Sequence, residues 1–347
     1  MRVMHVMASR ALGGAETYAA DMMLALHRAG IDQCVVMPAD APRAGELAAA
    51  GLRMAPEPLK PRLRFRQRAA LAALIRAEQP DLIHCWMRRA ASLLPRGKPA
   101  PALGWFGGYY DPARFARCDW LVGVTPDIVA HMRARGVPAA RSFFVPTFPA
   151  IEPAAPVSRA ALDTPGGARV LLALSRLHQK KGLDTLLDAL ALLPDDYHAW
   201  LAGEGALRGA LEAQAARLGL SARAHFLGWR TDRSALLGAA DVCVLPSRYE
   251  PFGTVILEAW AAGVPLVAAR SAGPAATVAE GETGLLVPID DAPALAAALR
   301  RAAEEESLRA RLIAGGQAAY AADYTPERVT QAMIALYRRL LAAPAPG

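Results

Sequence analysis

Short apolar runs alternate with longer stretches of helical periodicity along residues 1–150. The runs at 2–8, 33–37, 81–84, 119–124 and 143–145 are typical of strands that are buried on both faces. Between them, apolar positions recur every three to four residues, and a Gly or Pro ends the clearest of these stretches. Strands that alternate with helices predict a parallel sheet with helices on its faces.

The same alternation begins again after a proline-rich stretch without periodicity, residues 146–168, which we interpret as a linker. Further apolar runs predict strands at 170–175, 198–203, 224–228, 241–246 and 265–269, and GETGLLVPIDD at 281–291 is interpreted as a turn followed by a strand. We therefore expect two doubly wound α/β domains, residues 1–150 and 151–325. A last periodic segment, Pro326–Leu341, follows no further strand.

Charge and cysteine content narrow the class of protein. Residues 1–150 hold 20 Lys and Arg against 11 Asp and Glu, a balance of +9, whereas the remainder hold 19 against 21. A basic N-terminal half allows nucleic acid, an anionic membrane surface or a phosphorylated substrate as partner, but no nucleic-acid reader motif accompanies it. The four cysteines are scattered, which favours reduced thiols in a cytoplasm over disulfides or a zinc site. We find no signal peptide and no membrane-spanning run, and so expect a cytoplasmic protein.

Two carboxylates frame an expected helix start in RYEPFGTVILEAWAAGVP, residues 248–265. Glu250 precedes the helix, Thr254 is the expected N-cap, and Glu258 lies about one turn inside. The free N–H groups of 252–255 favour an anion such as a diphosphate, whereas the carboxylates suit sugar and ribose hydroxyls. This order suggests a nucleotide sugar. The alternative is a surface acid plus a Glu favoured by the helix dipole.

A basic loop follows the first strand of the second half. In SRLHQKKG, residues 175–182, Arg176 and Lys181 bracket a loop at a strand's carboxyl end, where sheets of this type bind ligands. The two cations could bind the same diphosphate, and the alternative is an ordinary basic turn. GEGALRG at 203–209 misses the dinucleotide fingerprint by one position, so we interpret it as a turn into a helix.

Together these motifs resemble retaining GT-B glycosyltransferases of family four. SRLHQKKG, GEGALR, FLGW, ADVCVLPSRYEPFGTVILEAWAAGVPLVA and GETGLLVPIDD follow the family's order over 170–290. GGAE at 13–16 and PDLIHCW at 80–86 resemble its N-terminal motifs. The resemblance implies two Rossmann-like domains facing a cleft, with the acceptor on the N-terminal domain and the donor on the C-terminal one. It also implies a final helix, about 326–347, that crosses back to the N-terminal domain.

The resemblance further implies roles for individual residues. Glu250, Arg176 and Lys181 would be catalytic, with front-side retaining transfer in which the leaving diphosphate helps to deprotonate the acceptor. The base would lie near Gly228–Arg230. The residues expected to bind the donor are Gly14, Arg176, Lys181, Gly228, Arg230, Glu250, Phe252, Gly253, Thr254 and Glu258. Because no Asp-x-Asp pair ends a strand where it could clamp Mg²⁺, we expect transfer without a metal or other cofactor.

The N-terminal half departs from the family at one place. Many members carry a His in the loop that corresponds to GWFGGYYD, residues 104–111, and this chain has none there. We expect Gly107, Gly108, Tyr109 and Tyr110 to shape the acceptor or sugar pocket instead. His84 is interpreted as a hydrogen-bonded core histidine at a strand end.

The function that we predict is sugar transfer to a glycan or lipid-linked acceptor, in cell-envelope polysaccharide or lipopolysaccharide synthesis. A nucleotide-sugar epimerase and a catalytically silent adaptor on the same fold are the alternatives. A run of cations, Arg62, Arg64, Arg66 and Arg68, precedes the apolar positions of a predicted helix. It is either a solvated face or a contact with anionic lipid on the inner face of the cytoplasmic membrane.

Overall fold

The structure is a computed structural model that describes residues 1–347 except 12, 57–62, 150 and 343–347. The chain divides into two compact units. The first comprises Met1–Ala150 and Thr325–Gly347, and the second comprises Ile151–Tyr324.

A sheet of parallel strands forms the centre of the first unit. Its strands are β1 (Arg2–Met7), β2 (Asp32–Val36), β3 (Arg53–Met54), β4 (Leu82–Trp86), β5 (Ala102–Phe106), β6 (Trp120–Gly123) and β7 (Ser142–Phe144). They are ordered β3-β2-β1-β4-β5-β6-β7, so the order reverses between β1 and β4. The inner strands β1, β4 and β5 are mostly apolar and are buried at every position except Arg2, because helices cover both faces of the sheet.

Helices connect these strands. They are α1 (Gly14–Arg28), α2 (Ala44–Ala49), α3 (Arg64–Glu78), α4 (Met87–Leu93) and α5 (Pro126–Ala134). Helix α1 buries Tyr18, Met22, Met23 and Leu26 at the three- and four-residue spacing of one helix face. Thr125 caps α5 by accepting from the N–H of Ile128 at 3.0 Å.

The second unit repeats this design with a six-stranded parallel sheet. Its strands are β8 (Arg169–Leu174), β9 (Tyr197–Ala202), β10 (Ala224–Gly228), β11 (Val242–Leu245), β12 (Leu266–Ala269) and β13 (Leu285–Val287). They are ordered β10-β9-β8-β11-β12-β13, with the reversal between β8 and β11. The helices are α6 (Leu183–Ala191), α7 (Arg208–Arg217), α8 (Arg233–Ala239), α9 (Thr254–Ala261), α10 (Ala272–Thr277), α11 (Ala292–Glu304) and α12 (Glu306–Ala319).

The last helix, α13 (Pro326–Ala342), belongs to the first unit, where it packs against α1. Its Tyr337 hydroxyl lies 2.6 Å from Nδ1 of His84 on β4, and both side chains are fully buried. His84 is therefore a hydrogen-bonded core residue, as predicted. Burial, followed by the charge of His5, holds its pKa well below the usual range.

The described strands differ from the sequence prediction in detail. Strands β3 and β5 were not predicted, β3 because it spans two residues and β5 because its sequence runs without a break into GGYY. The proline-rich segment 146–168 contains one 3₁₀ turn, Ala160–Leu162, among its described residues. The remaining predicted strands match within about two residues at each end, as expected for element boundaries.

Candidate functional site

The second unit has its topological switch point between β8 and β11, which pair in parallel. The loop that follows β8 contains Arg176 and Lys181, and the loop that follows β11 contains Glu250. Carboxyl ends of parallel strands lie at one edge of a sheet, and connections that leave a switch point in opposite directions open a crevice there. The fold thus brings together two loops that are about 70 residues apart in the chain.

Lys181 and Glu250 form an ion pair across these loops, from Nζ to Oε2. The two side chains are only 19% and 13% exposed, so water screens the pair less than it would a surface pair. The pair places an acceptor suited to hydroxyl groups and a donor suited to anions next to each other.

Two glycines allow the backbone of the Glu250 loop to be packed closely. Gly182 has φ of +62°, and a Cβ there would collide with the carbonyl oxygen of Pro246. Gly273 donates its N–H to the Glu250 carbonyl at 2.7 Å, and a Cβ there would lie 2.6 Å from the Phe252 nitrogen. The loop is therefore held from both sides without intervening side chains.

Helix α9 begins next to this pair, one residue later than its predicted cap. The N-cap is Gly253 with φ of +88°, a left-handed conformation that strains any residue with a Cβ, and Thr254 is the first helical residue. The prediction of Thr254 as N-cap was therefore wrong. The N–H groups of Phe252, Gly253 and Thr254 have no acceptor within the described part of the chain, which leaves the positive end of the helix open to an anion.

Glu258 points inward from α9 and is 1% exposed. The guanidinium of Arg233, the first residue of α8, pairs with its Oε1. Burial, followed by the negative charge of Glu258, raises the pKa of Cys243 on β11, so that this thiol stays neutral. Arg233 was not predicted, because nothing in the local pattern distinguishes it from other basic residues at a helix start.

The segment expected near the base follows β10. Gly228 has φ of +69°, and Arg230 binds Asp232 with both its Nε (2.8 Å) and Nη2 (2.5 Å) atoms. The hydrogen bonds that Arg230 donates to Asp232 raise the pKa of Arg230. Trp229 between them is 53% exposed, so that one large aromatic face is available to a ligand.

Arg176 is exposed, and the structure shows no side-chain partner for it within the described residues. Its loop rests on the glycines of GEGALRG. A Cβ on Gly203 or Gly205 would collide with the carbonyl oxygen of Ser175 or Leu177. Leu177 also donates its N–H to the Glu204 carbonyl at 2.9 Å. This segment is thus a support for the basic loop rather than a dinucleotide fingerprint.

The switch point of the first unit lies between β1 and β4, and Gly14 begins α1 after β1. A Cβ on Gly14 would meet no atom within 4 Å. The nearby Glu16 carboxylate accepts from the Ser9 hydroxyl at 2.6 Å and would lie 2.9 Å from a Cβ on Gly13. The space beside Gly14 is therefore open, but an acid lies at the same helix start.

The GGYY segment, Gly107–Tyr110, follows β5 directly. Trp105 requires glycine at 107, because a Cβ there would collide with its ring. Helix α5 holds both tyrosines: the Tyr109 hydroxyl donates to Asp127, and His131 Nε2 lies 2.9 Å from the Tyr110 carbonyl oxygen. The structure thus places a histidine, His131, beside the segment that has none of its own. Sequence reasoning missed it because it lies 21 residues further along the chain.

Neither metal ligands nor membrane spans stand out in the described ranges. No group of three or more His, Cys, Asp or Glu side chains there is arranged to hold a metal ion. Among those residues, no helix combines the length and the apolar character that a membrane crossing requires. All four cysteines are free and buried.

Comparison with known proteins agrees with this architecture. The structure of HepE from Anabaena in complex with UDP superposes with a TM-score of 0.85 at 22% identity, covering 98% of this chain and 100% of HepE. The structure of WaaG, a glycosyltransferase of lipopolysaccharide biosynthesis, gives a TM-score of 0.72 at 18% identity, covering 97% and 99%. Two units, each with a doubly wound parallel sheet, thus define the GT-B glycosyltransferase fold.

Sequence comparison identifies the family. Residues 155–319 match the model of glycosyl transferases group 1, and residues 12–148 match that of glycosyltransferase family 4. The lipopolysaccharide core biosynthesis glycosyltransferase LpsD of Rhizobium meliloti is 32% identical over 98% of this chain and 98% of LpsD. LpsE of the same bacterium is 37% identical over 76% of this chain and 77% of LpsE. The chain belongs to the glycosyl transferases group 1 family and is a glycosyltransferase.

Proposed function

We propose that this protein is a retaining glycosyltransferase that moves a sugar from a nucleotide-diphosphate sugar to a lipid-linked acceptor in lipopolysaccharide core synthesis. The observation that carries the proposal is the Lys181–Glu250 ion pair beside the open start of α9, at the switch point of the second unit. The similarity to LpsD and LpsE supports the pathway, and HepE, whose structure contains UDP, supports the donor class.

The donor diphosphate binds between cations and backbone donors. Lys181 and the exposed Arg176 approach from the β8 loop, and the N–H groups of Phe252, Gly253 and Thr254 approach from α9. When Lys181 moves to a phosphate oxygen, Glu250 is released to accept a hydroxyl of the transferred sugar.

The nucleoside lies on the other side of the diphosphate. Glu258, which is ion-paired with Arg233, accepts from the ribose, and the base lies near Gly228–Arg230. The large exposed face of Trp229 lies within that segment.

Transfer proceeds on the front side, so that the configuration at the anomeric carbon is retained. The leaving diphosphate accepts the proton of the acceptor hydroxyl, and Arg176 and Lys181 stabilise the charge that develops on its bridging oxygen. These cations neutralise the diphosphate without a metal. Activity is therefore expected to survive EDTA, and loss in EDTA with recovery in Mg²⁺ would contradict this part of the proposal.

The acceptor binds the first unit at Gly107–Tyr110. Tyr109 and Tyr110 offer aromatic rings for a sugar. Helix α5 holds the Tyr109 ring through Asp127 and His131, and it holds the backbone at Tyr110 through His131.

A basic surface supports attachment to an anionic membrane. Eight arginines lie on or next to α3, α4 and the 3₁₀ turn Pro112–Phe115. They are Arg64, Arg66, Arg68, Arg88, Arg89, Arg96, Arg114 and Arg117. None of them forms an ion pair with a carboxylate of the described chain, and burial, followed by the charges of Arg68 and Arg96, lowers the pKa of Arg117. Uncompensated charge of this kind favours an anionic partner.

The start of α3 adds apolar contacts to this charge. Leu63 and Phe65 are 49% and 65% exposed, beside Arg64 and Arg66. Arg68 was predicted to be part of the solvated or lipid-binding run of cations. Its guanidinium instead donates to the Ser92 carbonyl oxygen at 3.1 Å and so stabilises the fold. Arg62 lies outside the described residues. The membrane contact therefore rests on Arg64, Phe65 and Arg66.

Vesicle co-sedimentation tests this contact. Changing Arg64 and Arg66 to Ser removes two cations, worth about 1 kcal/mol each near an anionic surface, so binding weakens by about 30-fold. The control changes Arg28 and Arg135, exposed cations elsewhere on the same unit, to Ser. Equal losses in both variants, or binding to zwitterionic vesicles, would exclude the start of α3 as the contact.

The function itself is tested in two steps. A melting screen across UDP-, GDP- and ADP-sugars is expected to find one donor that stabilises the protein by mass action. That donor is then supplied with lipopolysaccharide core acceptors, and nuclear magnetic resonance of the product gives the anomeric configuration. Inversion would contradict the retaining mechanism. Stabilisation by no nucleotide sugar would favour a catalytically silent adaptor.

A further inference from the structure

Arg248, two residues before Glu250, ties three loops of the second unit together. Its Nη1 and Nη2 atoms bind the two carboxylate oxygens of Asp184 at 2.8 and 2.6 Å. Its Nε lies 2.6 Å from Oδ1 of Asp290, and Nη1 also donates to the Gln179 carbonyl oxygen at 2.8 Å. Every nitrogen of the guanidinium thus has an acceptor, and the side chain is only 24% exposed.

One partner of Arg248 lies on the loop that carries Lys181, and the other two lie on segments that contribute no ligand-binding group to the proposed donor site. Gln179 begins the 3₁₀ turn that ends with Lys181, and Asp184 lies in the first turn of α6. Asp290 follows β13 with φ of +60°, a strained conformation for a residue other than glycine. Thr185, the neighbour of Asp184 in the chain, donates its hydroxyl to Asp290 at 3.2 Å, so a hydrogen bond also joins the start of α6 to Asp290.

Contacts between the loop after β8 and the loop after β11 follow one register. Arg248 donates to the Gln179 carbonyl, the N–H of Tyr249 donates to the Lys180 carbonyl at 3.2 Å, and Glu250 pairs with Lys181. Lys180 Nζ also lies 4.6 Å from the centre of the Tyr249 ring. Three consecutive residues of one loop therefore meet three consecutive residues of the other.

Only the first of these side-chain contacts is anchored outside the two loops. The Lys181–Glu250 pair must separate when a ligand enters, if the function proposed above is right, and the Lys180–Tyr249 contact lies at the surface, where Tyr249 is 42% exposed. Arg248 instead reaches α6 and the loop after β13, neither of which contributes a ligand-binding group in that proposal. It can hold the register while the other pair exchanges partners.

We propose that Arg248 is a positioning residue that keeps the Glu250 carboxylate at the transferred sugar when Lys181 leaves it for the diphosphate. This inference rests on the proposed function. A planar fork is required, because it binds Asp184 with two parallel hydrogen bonds while Nε binds Asp290, and a lysine ammonium cannot do both. Displacements of about 1 Å in a reacting group cost about 100-fold in rate.

Arg248→Lys and Arg248→Gln are therefore expected to lower kcat by about 10- to 100-fold. The affinity for the nucleoside diphosphate (UDP, GDP or ADP) of the donor that the melting screen selects, which lacks the sugar that Glu250 contacts, is expected to fall by less than about threefold. The matched control is Arg301→Gln, which removes another ion-paired arginine of the same unit, the one bound to Glu305 at 2.9 Å on α11. It is expected to leave both quantities unchanged.

A double-mutant cycle with Glu250→Gln separates positioning from a general structural role. If Arg248 acts through the Glu250 carboxylate, Arg248→Gln lowers kcat by less than about threefold in the Glu250→Gln background. Full additivity of the two losses, or a proportional loss of kcat and of affinity for that nucleoside diphosphate, would overturn the inference.

The two proposals fail differently in this experiment. If Glu250→Gln alone leaves kcat unchanged, the proposed donor site is wrong, and the inference about Arg248 falls with it. If Glu250→Gln lowers kcat but Arg248→Lys and Arg248→Gln are as active as the wild type, the donor site stands and only the positioning role of Arg248 is refuted.

Discussion

Glu250→Gln and Glu258→Gln are predicted to impair different kinetic constants, although the chemical change is the same. Each substitution replaces a charged acceptor by a neutral amide. Both carboxylates are shielded from water, with side chains 13% and 2% exposed, so the lost charge-assisted hydrogen bond is worth about 1.5–3 kcal/mol. That free energy corresponds to about a 10- to 150-fold change in an equilibrium or rate constant.

The position of each carboxylate decides where this loss is seen. Glu258, which we assign to the ribose, contacts the donor equally in the ground and transition states, so Glu258→Gln is expected to raise the donor KM with kcat nearly unchanged. Glu250, assigned to the transferred sugar, contacts the group whose charge changes, so Glu250→Gln is expected to lower kcat. The assay is the initial transfer rate over a range of donor concentrations at saturating acceptor.

Stability must be measured with the kinetics, because both carboxylates are ion-paired. Glu258→Gln leaves the Arg233 guanidinium, 35% exposed, without its charged partner and should lower the melting temperature. The control is Glu304→Gln, which also breaks a Glu–Arg pair on this unit but lies on α11. Unchanged kinetics in both site variants, or a loss confined to kcat in Glu258→Gln, would refute the assignment of the two carboxylates.

Three further predictions concern the first unit. Gly14→Ala is expected to fold normally, because its Cβ meets no atom within 4 Å, and yet to raise the donor KM. The control is Gly45→Ala, whose Cβ also meets no atom and which should leave the donor KM unchanged. Equal KM values in the two variants would exclude a ligand beside Gly14. Tyr337→Phe leaves Nδ1 of His84 buried without its hydroxyl partner and is expected to cost about 1–3 kcal/mol of unfolding free energy in urea, with kcat unaffected below the melting temperature. Burial lowers the pKa of His5 to about 3 and that of His84 well below 6.5. As the pH falls from 6.5, these two histidines therefore take up protons only in the unfolded chain. The unfolding free energy should therefore decrease below pH 6.5, with a slope that approaches about 1.4 kcal/mol per pH unit for each histidine, and a flat profile between pH 7 and 5 would contradict this.

Sequence alone was sufficient for most of the strands and for the loops on which the proposed donor site is built. A short apolar run is visible in consecutive residues and predicts a strand that is buried on both faces. The strands β1, β4, β8 and β11 were predicted in this way. The loops that carry Lys181 and Glu250 were also found, because glycine, proline and charge are concentrated in short segments at strand ends. One local prediction was wrong: the N-cap of α9 is Gly253, in a left-handed conformation, and not Thr254.

The partners of these residues were decided by tertiary structure. Arg233 and Glu258 lie on different helices, Arg248 and Asp184 are 64 positions apart, and His84 and Tyr337 are 253 apart. Strand order and helix packing bring these pairs together, and no local pattern contains either, because many arrangements of the same strands and helices bury the same apolar runs. The sequence therefore determines which residues line the ends of the strands, whereas only the folded sheets determine which of them share a charge or a hydrogen bond.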